Sequence, residues 1–183
     1  MDVLRKILQD GFILVFNQEG LDVVKTACAL QKAGINNLEL TCRVSDSMKK
    51  LRKLKATLPD FACGAASLVD SERVILHGEI PTVKEAVEAG ADYLVSAVNF
   101  TEESYRNYSK SHPMIPGCGT ASEIINQFEL GASFCKLFPA GVIGGPAFIK
   151  NIDPAIHSLV NIMPTGGTNE MNIPDYVKAG CLV

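Results

Sequence analysis

Short apolar runs recur along the chain, and segments with helical spacing of apolar and polar positions separate most of them. Apolar runs of this length, bounded by glycine, proline or polar clusters, are typical of buried strands. They predict eight strands, near 12–16, 37–41, 61–67, 92–96, 114–116, 134–138, 161–164 and 181–183. The clearest helices between them are predicted at 22–33, 46–56, 83–89, 102–110 and 122–130.

A glycine follows several helical segments and directly precedes an apolar run, at Gly34, Gly90, Gly131 and Gly180. Glycine fits the left-handed position just past a helix, which other residues occupy only with strain. Helix, glycine and strand in repeated order are typical of βα units and of a parallel sheet. Eight strands at this spacing favour an α/β (β/α)8 TIM barrel over an open doubly wound sheet, since no Gly-x-Gly-x-x-Gly follows the first strand. We expect one barrel domain over residues 1–183.

Two regions depart from this rhythm. The stretch between Ser67 and the helix near Val83 is longer than an ordinary βα loop and predicts a short extra element. The eighth strand has only begun at Val183. We therefore expect the sequence to be a fragment, truncated within that strand; the alternative is that another subunit covers this edge.

Composition narrows the class of protein. A chain of 183 residues with 47% hydrophobic residues suits one domain with a sizeable core. The net charge of −3 and the lack of a basic tract argue against nucleic acid as a partner. The six cysteines show no metal-binding spacing with histidine, so we expect no metal, and reduced thiols in a cytoplasmic protein. No signal peptide or membrane-spanning run is evident.

A lone lysine, Lys136, lies inside the apolar run 134–138. Strand alternation puts Phe134, Lys136 and Phe138 on one face. Burial disfavours the charged form of an amine and so favours its nucleophilic form, the form that attacks a carbonyl to make a Schiff base. A strand-end lysine whose head reaches water remains the alternative.

The second strand carries a row of polar residues on one face: Asn37, Glu39, Thr41 and Arg43. A carboxylate that points into a barrel is costly without a partner, and Lys136 is the natural one. A purely structural ion pair remains open. Active sites in this fold lie at the carboxyl ends of the strands, and a carboxylate that exchanges protons beside an amine suits Schiff-base chemistry.

Further candidates lie at the same predicted rim. Thr165, Gly166 and Gly167 follow the seventh strand, where backbone amides of barrels often hold phosphate. Ser67 supplies a hydroxyl at the end of the third strand. Taken singly, the glycines are also typical of a tight turn, and the serine of a cap or loop.

Together these segments resemble the KDPG/KHG aldolase family, whose members cleave 2-keto-3-deoxy-6-phosphogluconate, 4-hydroxy-2-oxoglutarate or relatives to pyruvate and an aldehyde. The resemblance runs in order through most of the chain. It rests on Leu38-Glu39-Leu40-Thr41-Cys42-Arg43, Gly64-Ala65-Ala66-Ser67, Ile115-Pro116-Gly117, Lys136-Leu137-Phe138-Pro139 and Pro164-Thr165-Gly166-Gly167.

The resemblance implies a homotrimeric barrel, a small keto-acid substrate and class I chemistry without metal or cofactor. Lys136 matches the Schiff-base lysine and Glu39 the general acid and base. The residues that match substrate-binding positions are Arg43 for the carboxylate, Ser67 for a hydroxyl, Phe138 beside the pyruvyl methyl, and Thr165, Gly166 and Gly167 for the substrate and phosphate site.

Three departures from the family pattern concern recognition rather than the catalytic pair. Ala66-Ser67 replaces Gly-Thr, Ala97 replaces proline, and Phe16 replaces an arginine often found at the end of strand one. A substrate other than the phosphorylated six-carbon acid therefore stays open.

Two other functions also stay open. One is an isomerase or synthase that uses Lys136 and Glu39 only for proton transfer. The other is a diverged barrel that binds a keto acid without turnover. The aldolase is favoured over a non-catalytic barrel because drift should replace costly buried charges with apolar groups.

Overall fold

Parallel strands alternate with helices through residues 2–71, 74–75 and 80–183, the part of the chain that the computed structural model describes. The strands are β1 (Val15–Phe16), β2 (Asn37–Thr41), β3 (Ala62–Leu68), β4 (Tyr93–Ser96), β5 (Met114–Ile115), β6 (Gly117–Cys118), β7 (Cys135–Leu137) and β8 (Ile162–Pro164). The helices are α1 (Val3–Asp10), α2 (Val23–Lys32), α3 (Ser47–Thr57), α4 (Val83–Glu88), α5 (Glu102–Tyr108), α6 (Ala121–Leu130), α7 (Gly145–Lys150), α8 (Pro154–Leu159) and α9 (Ile173–Lys178).

The strands form a five-stranded sheet in the order β1-β2-β3-β4-β5 and a three-stranded sheet in the order β6-β7-β8. Pro116 separates β5 from β6, because proline has no N–H to donate to a ladder. β5 pairs with β4, whereas β6 pairs with β7, so the chain passes from one sheet to the other at this proline. The architecture is that of the predicted α/β barrel class, and within each sheet sequential strands are adjacent and parallel.

The chain differs from prediction at residues 181–183, which form no strand. The Cys181 amide instead donates to Tyr176 O at 3.1 Å and so completes the end of α9. Within the described residues, the outer edges of β1 and β8 therefore carry no ladder partner, and the two sheets do not close into a hydrogen-bonded barrel.

Side chains alternate between two layers of core. Leu38 and Leu40 point outward and pack with α3. The inward side chains of both sheets meet in one interior cluster: Ala62, Tyr93, Ile115, Phe134 and Met163 among them. Ile7 of α1, fully buried, belongs to this interior cluster and thus ties α1 to it.

Helix ends follow the predicted rules. The four glycines expected after helices all have positive φ: 88° at Gly34, 93° at Gly90, 109° at Gly131 and 100° at Gly180. Thr120 caps α6 and forms a reciprocal capping box with Glu123. These local signals confirm the helix–glycine–strand pattern.

Three further expectations concern the cysteines, the segment before α4 and membrane-spanning helices. All six cysteines are free thiols, as predicted. The extra element predicted between Ser67 and α4 lies largely outside the described residues. In the part that is described, no helix combines the length and apolar character needed to cross a membrane.

Candidate active site

The centre of the candidate site is a buried ion pair between the two sheets. Glu39 lies on the inward face of β2 and Lys136 on the inward face of β7, with Lys136 Nζ 3.7 Å from Glu39 Oε1. Glu39 is 2% exposed and Lys136 5% exposed. The predicted pairing of these two residues is therefore confirmed, and strand alternation accounts for both orientations.

Burial dominates the electrostatics of this pair. It raises the pKa of the Glu39 carboxyl above its ordinary value, while the charges of Lys136 and Arg43 act in the opposite direction. A carboxyl with a raised pKa accepts and returns protons more readily near neutral pH than an exposed one. The Lys136 ammonium also lies 5.3 Å from the centroid of the Phe138 ring, within cation–π range.

The register of β1 places a residue that the sequence did not single out beside Glu39. Val15 is the ladder partner of Glu39 and shares its inward face. One position on, Phe16 pairs with Leu40 and is 3% exposed in the outer core. Phe16 therefore faces the helices and not the interior cluster. Alternation applied to the short β1 could have revealed Val15.

Asn17 is a second residue that sequence reasoning missed. It follows β1, and its Oδ1 accepts a hydrogen bond from Thr41 Oγ1 at 3.3 Å. Thr41 ends β2 on the same face as Glu39. The contact therefore joins the carboxyl ends of β1 and β2 above the buried pair.

Backbone hydrogen bonds join the loops that follow β7 and β8. Thr165 N donates to Leu137 O at 3.0 Å, Ala140 N to Thr165 O at 2.8 Å and Gly141 N to Gly166 O at 2.8 Å. Gly166 has a φ of 83°, and a Cβ there would lie 3.3 Å from Phe138 Cε2. Only glycine fits this position without strain, because both the backbone angle and the aromatic ring oppose a side chain.

Arg43 lies on a turn, not on the face of β2 that alternation predicted. The strand ends at Thr41, and Val44 N turns back to Thr41 O at 3.1 Å. The exposed guanidinium is nevertheless near enough to lower the pKa of Glu39.

Ser67 occupies an irregular position near the end of β3. Its φ is 61°, in the left-handed region, where the β3–β4 register shifts between Ala65 and Leu68. It is therefore a strand-bulge residue and not the helix cap or loop residue that its isolated occurrence suggests. Left-handed backbone at a non-glycine residue is a strain that proteins concentrate at functional sites.

Four of the eight predicted site residues line two cavities. One lies between β1 and β8, is mostly apolar, and includes Glu39, Val15, Met163 and Thr165 in its wall. The other lies at the carboxyl ends of β2 and β3 and includes Arg43 and Ser67. The structure thus separates Glu39 and Thr165 from Arg43 and Ser67, and the other four predicted residues, Lys136, Phe138, Gly166 and Gly167, lie in neither wall. Over the described residues, no cluster of three or more histidine, cysteine, aspartate or glutamate side chains is arranged to hold a metal.

Comparison with known proteins agrees with this architecture. The family model for KDPG and KHG aldolase matches residues 6–183. The chain belongs to this family. A curated relative, 2-dehydro-3-deoxy-phosphogluconate aldolase of Pseudomonas aeruginosa, is 32% identical over 157 residues. That match covers 85% of this chain but only 66% of the relative, so the chain spans just under two thirds of the relative's length.

Two solved structures of the family resemble the chain as a whole. A KDPG aldolase from Legionella pneumophila, with pyruvate captured at low pH as a covalent carbinolamine intermediate, superposes with a TM-score of 0.72 at 31% identity. It matches 90% of this chain and 75% of its own. The 4-hydroxy-2-oxoglutarate/KDPG aldolase from TTHB1 gives a TM-score of 0.81 at 27% identity, covering 100% of this chain and 86% of its own.

Proposed function

We propose that this protein is a class I aldolase that cleaves a 4-hydroxy-2-keto acid, or a 2-keto-3-deoxy acid of the 6-phosphogluconate type, to pyruvate and an aldehyde. The observation that carries the proposal is the buried pair, with an amine 3.7 Å from a carboxylate inside an otherwise apolar core. A nucleophile and a proton-transferring group at this spacing are what Schiff-base catalysis needs. Family membership and the carbinolamine in the Legionella relative support the same chemistry.

The proposed reaction begins when the neutral amine of Lys136 attacks the C2 carbonyl. The resulting carbinolamine loses water to give a protonated imine. Glu39 removes the proton of the C4 hydroxyl, the C3–C4 bond breaks, and its electron pair moves into the imine to form an enamine as the aldehyde departs. Glu39 returns a proton to C3, and water hydrolyses the imine to release pyruvate and the free amine.

Recognition is assigned to the rim. Arg43 binds the substrate carboxylate, because a guanidinium can form two parallel hydrogen bonds to it, and Ser67 adds a hydroxyl from the same cavity wall. Phe138 packs beside the pyruvyl methyl. Thr165, Gly166 and Gly167 contact the distal part of the substrate, including a phosphate where one is present. The protein is further proposed to act as a homotrimer, which sedimentation velocity tests.

Trapping with sodium borohydride in the presence of pyruvate tests the function directly. The imine is reduced to a stable secondary amine, so intact-mass and peptide mass spectrometry should find a pyruvyl adduct on Lys136. A Lys150→Ala variant, which removes an exposed lysine on α7, is the matched control and should give the same adduct. Chelation with EDTA should leave turnover unchanged.

Two results would count against the aldolase. In the first, folded protein gives no adduct but still exchanges protons of a sugar phosphate or isomerises it. That result would favour proton transfer without covalent catalysis. An adduct without cleavage of any 4-hydroxy-2-keto acid would favour a diverged binding protein.

A further inference from the structure

Tyr93 is the largest fully buried side chain among the described residues, and it lies on the inward face of β4. Ladder pairing places Glu39, Gly64 and Tyr93 in one row across β2, β3 and β4. The middle position of that row must be glycine, since a Cβ on Gly64 would lie 2.2 Å from Tyr93 Cε2. The tyrosine ring therefore passes over β3 and reaches the strand that carries Glu39.

The Tyr93 hydroxyl donates a hydrogen bond to Leu38 O at 2.6 Å. That carbonyl belongs to the peptide group that joins Leu38 to Glu39. The N–H of the same peptide group, on Glu39, donates to Leu14 O at 2.9 Å. The peptide immediately before Glu39 is thus held from both sides, by the backbone beside β1 and by a side chain that comes from β4.

From this geometry we infer that Tyr93 is a positioning residue for Glu39: its hydroxyl fixes the peptide that sets the direction of the Glu39 side chain toward Lys136. The inference rests on the proposed function, in which Glu39 moves protons. A carboxylate that must exchange protons with one carbon atom tolerates little misplacement, so fixing its backbone preserves the rate of that step.

The surroundings keep Tyr93 in the donor state. Burial raises the pKa of the Tyr93 hydroxyl well above its ordinary value, and the negative charge of Glu39 adds to this effect. The hydroxyl stays protonated throughout the working pH range. Its bond to Leu38 O is therefore a constant feature of the site and not a pH switch.

A second buried tyrosine provides a matched control. Tyr105 on α5 is 3% exposed, and its hydroxyl donates to Gln127 Oε1 at 3.0 Å in the outer core. Tyr93→Phe and Tyr105→Phe both remove one buried hydroxyl and keep the ring. The two variants therefore impose similar losses of stability, and they differ only in whether the lost bond reaches the peptide before Glu39.

Two readings on each protein separate positioning from general damage. Borohydride trapping with pyruvate measures imine formation by Lys136, and proton NMR in D2O measures exchange of the pyruvate methyl hydrogens through the enamine, the step assigned to Glu39. Tyr93→Phe should slow methyl exchange roughly three- to tenfold, while the fraction trapped after the imine has reached equilibrium stays at the wild-type level. Tyr105→Phe should change neither reading.

The outcomes are distinct. Methyl exchange at the wild-type rate in folded Tyr93→Phe overturns the inference and leaves the aldolase standing. Equal slowing in Tyr93→Phe and Tyr105→Phe also overturns it, because the effect would then be one of stability alone. If wild-type protein gives neither adduct nor exchange, the proposed function fails and the positioning role fails with it.

Discussion

The five-stranded sheet and the three-stranded sheet contribute different kinds of groups to the candidate site. The five-stranded sheet supplies charged and hydroxyl side chains: Glu39 from the middle of β2, with Arg43 and Ser67 at the strand ends. The three-stranded sheet supplies one amine, Lys136, and otherwise an aromatic ring and a backbone surface at 165–167. Each sheet contributes one buried charge, so the Glu39–Lys136 pair exists only where the two interior faces meet.

The two sheets also hold their buried charged residues in different ways. Glu39 comes from a strand whose five residues are all buried and whose neighbours pair along its length. Lys136 comes from a strand of three residues, and backbone hydrogen bonds join the loop that follows it to the loop that follows β8. Paired strands therefore hold the carboxylate that is proposed to transfer protons, while joined loops form the surface that is proposed to meet the substrate.

The largest effect is expected when the amine of the three-stranded sheet is removed. Lys136→Ala should lower turnover at least about a thousandfold, because the imine no longer forms. Glu39→Gln should slow cleavage roughly a hundredfold or more and also slow imine formation, since the amide cannot accept a proton. Coupled detection of pyruvate measures the first effect, and borohydride trapping against time measures the second. Normal cleavage by Lys136→Ala would exclude the Schiff-base mechanism.

Removing Arg43 tests the charged contribution of the five-stranded sheet. Arg43→Met should raise KM for the keto acid roughly ten- to a hundredfold, the value of a lost charge-assisted hydrogen bond. It should also move the acidic limb of the kcat/KM profile to higher pH, because Arg43 lowers the pKa of Glu39. Arg5→Met removes an exposed arginine on α1 and serves as control. An unchanged KM would place carboxylate recognition elsewhere.

The meeting of the two sheets also predicts a pH dependence of stability. Glu39 has a raised pKa in the folded state, so the folded protein binds its proton more tightly than the unfolded chain does. The contribution of Glu39 to the free energy of unfolding is therefore lost as the pH rises from the ordinary pKa of the carboxyl through its raised pKa in the folded protein. In Lys136→Met the opposing charge is gone, so the free energy of unfolding should decline as the pH rises from the ordinary pKa of a glutamate carboxyl toward neutrality.

The double variant Lys136→Met/Glu39→Gln is the control for that prediction. It removes both charges, so its thermal unfolding should show no such decline over the same pH range. Parallel pH profiles of thermal unfolding for the single and the double variant would contradict the prediction, because they would mean that water reaches Glu39 once Lys136 is removed.

The smallest effect is expected at Ser67, which has a proposed role in substrate binding and also a strained, left-handed backbone. Ser67→Gly relieves the left-handed backbone and should stabilise the protein by about 0.5–1 kcal/mol, less than the strain itself because glycine loses more entropy on folding. KM should rise a few-fold with loss of the hydroxyl. Ser67→Ala should raise KM equally without the gain in stability, and chemical unfolding of both variants measures the difference.

Sequence reasoning reached much of this site because two of its parts depend on local rules. Alternation on β2 and β7 places Glu39 and Lys136 inward, and the four glycines predicted to follow helical segments have the backbone that only glycine adopts freely. Helices α1, α7 and α8 were not predicted, and α9 was expected only as the helical segment before Gly180. Most of these are short and have few residues on which periodicity can act, and α1 shows its role only through Ile7, which packs against strands far along the chain.

Other features depended on contacts that no local pattern encodes. Arg43 leaves the face of β2 because the chain turns at Thr41, and residues 181–183 complete a helix end instead of pairing as a strand. Val15 stands beside Glu39 only through the β1–β2 register. A register is set by the packing of whole strands, and a shift of one residue would reverse every side chain.

The helix–glycine–strand order, the family, and the inward direction of Glu39 and Lys136 were predictable from the amino-acid sequence alone. These follow from side-chain chemistry and from the two-residue period of a strand, which act within a few residues of each position. Three features became visible only in the tertiary structure. They are the 3.7 Å separation of Glu39 and Lys136, the separation of four site residues into two cavities, and the hydrogen bond from Tyr93 to Leu38 across Gly64. Those features join residues distant along the chain, and the packing of both sheets sets their distances.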